Sequence, residues 1–211
     1  MGQPELRNRT VLISREGMPA FEVPPFARDV GLDASERIDY QAQPPDGAIP
    51  SFAQTLAYCH AGTNAVPTRL RLHAHQGIEV GLVLAGEEEH QYARTQCRHG
   101  PGDVWLYRSW EPHAWRIVSP NTTKVVLIFL PEFLGDDPVG PAPFLALFAV
   151  SAERRPTTGN AALRERVLAI GHELAREIAE RPPLWPSLVR LHLLLSCPGN
   201  NFTKSLDLLE N

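Results

Sequence analysis

The chain has 211 residues, 43% hydrophobic and 21% charged, which suits one globular domain with a small appendage and excludes a chain dominated by disorder. Twenty Lys and Arg against 24 Asp and Glu give a net charge of −4, and the only adjacent basic pair is Arg154-Arg155, so direct nucleic-acid binding by this chain is not expected. Cys59, Cys97 and Cys197 form no disulfide framework or zinc knuckle, the start MGQPELRNRT lacks an apolar leader, and no window reaches the length of a membrane helix; the expectation is a soluble cytoplasmic protein with no membrane partner.

Residues 1–50 are rich in Pro, Gly and Asp, with short apolar pieces such as Thr10-Val11-Leu12-Ile13. They read as loops with a few edge strands. Between about 51 and 134 the pattern changes to short apolar runs separated by turn residues. The runs are Thr55 to Tyr58, Ile78 to Ala85, Asp103 to Tyr107, Ala114 to Val118 and Lys124 to Leu130. The punctuation is Ala61-Gly62-Thr63-Asn64, Ala85-Gly86, His99-Gly100-Pro101-Gly102, Glu111-Pro112 and Ser119-Pro120-Asn121, a spacing that predicts a sandwich or barrel. Glu87-Glu88-Glu89 reads as a solvated hairpin end. Residues 135–159 read as a Pro-rich linker with an irregular apolar stretch, Phe144 to Val150.

Beyond it, Leu163, Val167, Ile170, Leu174 and Ile178 recur at helical spacing behind Asn160, a suitable N-cap. Pro182-Pro183 ends that helix, and Leu184, Leu188, Leu191 and Leu195 mark a second, ended by Cys197-Pro198-Gly199-Asn200. The helical segment is thus 160–197, with a tail at 198–211.

The chemistry concentrates in His73-Ala74-His75-Gln76-Gly77-Ile78-Glu79. Alternation on a strand puts His73 and His75 on one face, and Glu79 follows after a short bend. His113 comes 34 residues after Glu79. Three imidazoles and one carboxylate from neighbouring strands can converge on one divalent first-row metal, Mn, Fe, Ni or Zn, with open positions for water or ligand. His60, His90, His99, His172 and His192 lie outside the pattern and read as solvated or locally satisfied. Trp115 and Ile117 share the parity of His113 and should face the interior; Trp115 either stacks on a ligand or fills the core. Arg71 shares the parity of His73 and either anchors an acidic ligand or makes a salt bridge at the rim. Cys59 and Cys97 read as small strand residues without an activated thiol.

The pattern His73-x-His75-x-x-x-Glu79, then Gly86, resembles the first motif of the cupin superfamily. Pro101-Gly102-Asp103 with Pro112-His113 resembles the second, although Trp110-Glu111 stand where that motif usually has glycine. The resemblance covers about residues 52–131 and implies a small antiparallel jelly-roll β-barrel with the metal inside. The same motifs followed by two amphipathic helices resemble the N-terminal, effector-sensing half of AraC-type transcription regulators. That resemblance implies a small-molecule effector in the barrel and a homodimer paired through the helices, without the family's DNA-binding half. The alternative is a metal-dependent cupin enzyme of dioxygenase or isomerase type, since the same ligand set serves both.

Overall fold

The computed structural model describes residues 9–14, 39–40, 55–67, 71–92, 95–134, 141–155 and 158–196. Among these are β1 (Arg9–Ser14), β2 (Asp39–Tyr40), β3 (Thr55–Asn64), β4 (Arg71–Ala74), β5 (Ile78–Ala85), β6 (Glu88–Tyr92), β7 (Thr95–His99), β8 (Val104–Tyr107), β9 (His113–Ile117) and β10 (Thr122–Phe129). Three α-helices follow, α1 (Pro141–Ala149), α2 (Ala161–Glu180) and α3 (Trp185–Ser196). The strands form two five-stranded sheets, ordered β1-β3-β10-β5-β8 and β2-β4-β9-β6-β7. The pairings are antiparallel except for β2 with β4, which is parallel. This is the jelly-roll barrel expected, with helices after it.

The first sheet is buried on both faces, which is why β5 reads as a near-continuous apolar run rather than an alternation. Its outer face carries Ile78, Val80, Leu82 and Leu84 of β5, Leu106 of β8, Val125, Leu127 and Phe129 of β10, and Ala57, Cys59 and Ala61 of β3. These form one core with Phe133, Phe144, Leu147 and Phe148 and with Val167, Leu174, Ile178, Val189 and Leu193 of the helices. The inner face is different. Val83, Trp105, Tyr107 and Val126 form a separate cluster there, joined by Tyr92 of the second sheet.

Two glycines of the sequence pattern have a steric reason. Gly86 turns β5 into β6 at φ +79, and a Cβ there would lie 2.4 Å from Thr122 Oγ1. Gly102 sits at φ +81 with its absent Cβ 2.9 Å from Arg164 of α2. The next residue, Asp103, binds the turn to the helical segment: its carboxylate accepts from Gly100 N, Thr158 Oγ1 and Arg164 Nη2.

Helix α2 begins as its sequence predicts, with the Asn160 side chain accepting from Leu163 N at 2.8 Å. Arg181 closes it in the left-handed region at φ 50, ahead of the two prolines that cannot continue it. Its apolar stripe covers the chain's own barrel: Val167, Leu174 and Ile178 are buried, and Gly171 lets the helix approach Leu82 and Leu84 of β5. Leu163 and Ile170 of the same stripe are only partly buried.

The structure corrects four local readings. Ala61 to Asn64 are the end of the long β3, because the strand is buried where small residues suffice. Glu88 and Glu89 are buried on β6, paired with Lys124 and Arg116 respectively. The 135–159 segment contains α1; a short, apolar helix has no polar stripe to reveal it, and proline at its start costs no hydrogen bond. Among the described side chains of α3 the buried ones are Val189 and Leu193, while Leu191 is 51% exposed and Leu184, just before the helix, is 76% exposed.

Candidate metal centre

The bend at Gln76-Gly77 carries the chain from β4 to β5. It brings His73, His75 and Glu79 together, and β9 pairs with β4 so that His113 lies opposite His73. One donor atom from each of these four residues lies within 4.8 Å of the other three. His75, Glu79 and His113 are buried and His73 is half-buried.

Backbone carbonyls fix two of the imidazole tautomers. His75 Nδ1 donates to Gly77 O at 2.9 Å and His113 Nδ1 donates to Glu111 O at 2.7 Å. A carbonyl only accepts, so in each neutral ring Nε2 is left with its lone pair. Those lone pairs face Glu79 Oε2 at 2.9 Å and 3.6 Å. The other carboxylate oxygen, Oε1, accepts from Trp105 Nε1 at 2.7 Å. His113 Nε2 is buried with no hydrogen-bond partner. Lone pairs and a carboxylate oxygen converging in a buried space require a cation between them, either protons or a metal ion. The separations of 2.9 and 3.6 Å from Glu79 Oε2 are near those of neighbouring ligands on one ion, which at bonds of roughly 2.1 Å lie about 3 Å apart. The residues fit a divalent metal, with outer hydrogen bonds of the kind that orient ligands.

Burial by itself would raise the Glu79 pKa, but the His113 and His75 imidazoles beside the carboxylate outweigh it and hold the carboxyl well below its usual range. Tyr107 lies across the β5–β8 ladder from Glu79 and stacks on His113 with ring centroids 3.9 Å apart. Its phenol, pushed well up by burial and by the Glu79 charge, bonds His90 Nδ1 at 2.6 Å. His90 Nε2 meets Glu88 Oε2 at 3.1 Å, and Glu88 Oε1 meets Lys124 Nζ at 2.7 Å. A polar chain thus runs through the barrel from beside the centre.

The loop before His113 departs from the sequence pattern without losing its geometry. Trp110 adopts φ 58, the left-handed conformation that glycine would take without strain, and its N–H donates to His75 O at 2.8 Å. Arg155 braces the same loop by a two-pronged contact with the Glu111 carboxylate and a bond to Leu106 O.

Of the two residues proposed to touch a ligand, Trp115 is half-buried with Lys124 Nζ 3.5 Å above its ring. Arg71 pairs with Trp115 in the β4–β9 ladder; its side chain lies outside the described residues. Sequence reasoning missed Trp105, Tyr107, Glu88 and Lys124. The signal was the alternation of Trp105 and Tyr107 on β8 and of Glu88 and His90 on β6.

Residues 60–129 match the family model described as "Cupin domain". No curated protein matches the chain in sequence. Among solved structures, the AraC-like transcriptional activator CuxR is similar at 14% identity and TM-score 0.40, over 67% of this chain and 48% of that one. The DMSP lyase DddQ from Ruegeria pomeroyi is similar at 28% identity and TM-score 0.29, over 35% of this chain and 37% of that one. Oxalate decarboxylase from Bacillus subtilis is similar at 17% identity and TM-score 0.31, over 48% of this chain and 31% of that one. The chain thus spans about half the length of the first of these and about a third of the others. With the two motifs, the two-sheet barrel and the family match coinciding on one segment, residues 60–129 are a cupin domain.

Proposed function

We propose that this chain is a ligand-sensing cupin module that holds one divalent first-row metal on His73, His75, Glu79 and His113 and binds a small-molecule effector beside it. The observation that carries the metal assignment is the convergence of four donors with His113 Nε2 buried and unpaired. When bound, the metal supplies a Lewis-acidic anchor for an oxygen of the effector. Arg71 and Trp115 stand one pleat repeat along β4 and β9 from His73 and His113, on the same face. The pair suits an acidic group and a flat apolar surface.

The sensor role is favoured by the two faces of β5. Glu79 projects inward to the centre, while Leu82 and Leu84 project outward against Gly171 of α2. A shift of this strand on effector binding is passed directly to the helices. The order of barrel then helices matches the AraC-type resemblance. The partner this reading expects is a second copy of the chain, met through the exposed Leu184, just before α3, and Leu191 of α3.

The second reading, a metal-dependent cupin enzyme, is favoured by the complete ligand quartet, since sensing needs no metal. Elemental analysis of reconstituted protein should give a metal that His73→Ala with His75→Ala removes; equal metal-free results for both proteins would overturn the ligand assignment. A screen of small acids, sugars and phenols with product analysis separates the readings. The sensor binds without turnover, and turnover lost on His113→Ala would replace the sensor by the enzyme.

A further inference from the structure

A second group of potential ligands lies outside the barrel, where α2 and α3 pack together. Glu173 and Glu177 are four residues apart on α2 and so share one face of the helix. His192 of α3 meets them, and one donor atom from each of the three lies within 4.8 Å of the other two. Glu177 is only 7% exposed, and its Oε2 is buried with no hydrogen-bond partner. His192 Nδ1 is also buried without a partner. Glu173 is partly compensated, because its Oε2 pairs with Arg176 on the solvent side. The nearest basic residue along α3, Arg190, holds its guanidinium 5.6 Å over the Phe133 ring.

Without a cation, three effects oppose this arrangement. Two like charges at this spacing repel. Glu177 lies in the last turn of α2, where the helix dipole disfavours negative charge. Burial of a carboxylate oxygen without a partner is costly. A divalent cation between the three side chains reverses all of them at once. We infer that Glu173, Glu177 and His192 form a second metal site, one that clamps α3 onto α2. Two carboxylates and one imidazole suit a borderline first-row ion such as zinc, with remaining positions taken by water. The site does not depend on the barrel assignment, since it shares no residue with it.

The test uses zinc and the full chain. Protein stripped with a chelator, reloaded and dialysed should carry two zinc ions per chain in the wild type. The His73→Ala, His75→Ala protein should carry one, and adding Glu177→Gln to it should leave none. In that barrel-emptied background zinc should raise Tm, and Glu177→Gln or His192→Asn should abolish the rise. In chelator, Glu177→Gln should melt no lower than its parent, because it removes a repulsion rather than a contact. If the barrel variant does not fold, calorimetric titration of the wild type against Glu177→Gln alone should show the loss of one class of sites. The inference is overturned if the zinc stoichiometry and the zinc-dependent Tm are unchanged by Glu177→Gln and His192→Asn. Zinc lost on Glu177→Gln but kept in the His73, His75 variant would leave this site standing and remove the one in the barrel.

Discussion

Gly81 offers the sharpest way to disturb the centre without touching a ligand. It lies on β5 two residues after Glu79, and a Cβ built on it would stand 1.9 Å from Cζ2 and 2.1 Å from Cε2 of Trp105. The indole cannot yield easily. It is 3% exposed, packs on His90 at 4.5 Å, and donates Nε1–H to Glu79. Gly81→Ala must therefore displace the ring and break that bond. Overpacking of this kind costs about 1–3 kcal/mol, and a hydrogen bond to a charged group contributes about 1.5–3 kcal/mol. The sum, about 2.5–6 kcal/mol, is a large part of the roughly 5–15 kcal/mol that holds a domain together. Urea denaturation of chelated protein should show this loss, and metal affinity should fall. Trp105→Phe, which keeps most of the ring and deletes the donor, should separate the effects by weakening metal binding roughly 10–100-fold with a smaller loss of stability. Gly159→Ala, with no atom within 4 Å of the new Cβ, is the control and should change stability by less than about 0.5 kcal/mol. If Gly81→Ala is as stable as the control and binds metal normally, the placement of Trp105 against Glu79 is wrong.

Leu174→Ala should cost about 2–5 kcal/mol in urea denaturation, since Leu174 is fully buried between α2 and the barrel, and should leave the oligomeric state unchanged. Leu184→Glu with Leu191→Glu should convert a dimer to a monomer in light scattering without a change in Tm of the isolated chain; a wild-type monomer at high concentration would remove the pairing proposal. His99 is held at a pKa of about 4 by burial and by the neighbouring His90, and burial lowers His90 too. A histidine depressed in the fold takes up its proton more readily when unfolded. Stability of chelated protein should thus be full above about pH 6.5 and decline towards pH 4, by about 3 kcal/mol from His99 alone. A flat stability profile between these values would refute the burial of the pair.

The convergence of His73, His75, Glu79 and His113 was legible because it is written in strand parity. His73 and His75 need only alternation to share a face, and Glu79 and His113 need only the closure that the Gly and Pro punctuation announces. The cover helix was legible from its stripe and its Asn160 cap. What the stripe could not say was which surface it covers, because an apolar face fits its own barrel or a partner equally well; only the proximity of Gly171 to Leu82 and Leu84 decides. Glu88 was misread for a related reason. Three consecutive glutamates look solvated, yet on a strand the middle one points the other way from its neighbours. Here that direction is into the barrel, where Lys124 and His90 receive it. Trp110 was opaque because its left-handed backbone belongs to the tertiary loop and not to the residue type.

These readings share one physical origin, the reversal of polarity across the first sheet. In most sheets with one solvated face the apolar side forms the core and the polar side meets water. Here both faces are buried: the apolar side belongs to the helices and the polar side to the barrel interior. Each polar group of that interior then needs a partner from another strand. Glu79 takes Trp105 and two histidines, His90 takes Tyr107 and Glu88, and Glu88 takes Lys124. Partners drawn from the β4–β5 bend, β5, β6, β8, β9 and β10 can be satisfied together only when the barrel is closed. The interior therefore contributes little to collapse and much to the choice of a single closed arrangement. A cation at the quartet completes the set at the one place where lone pairs otherwise face each other. Metal binding at the proposed centre and closure of the barrel should accordingly be coupled.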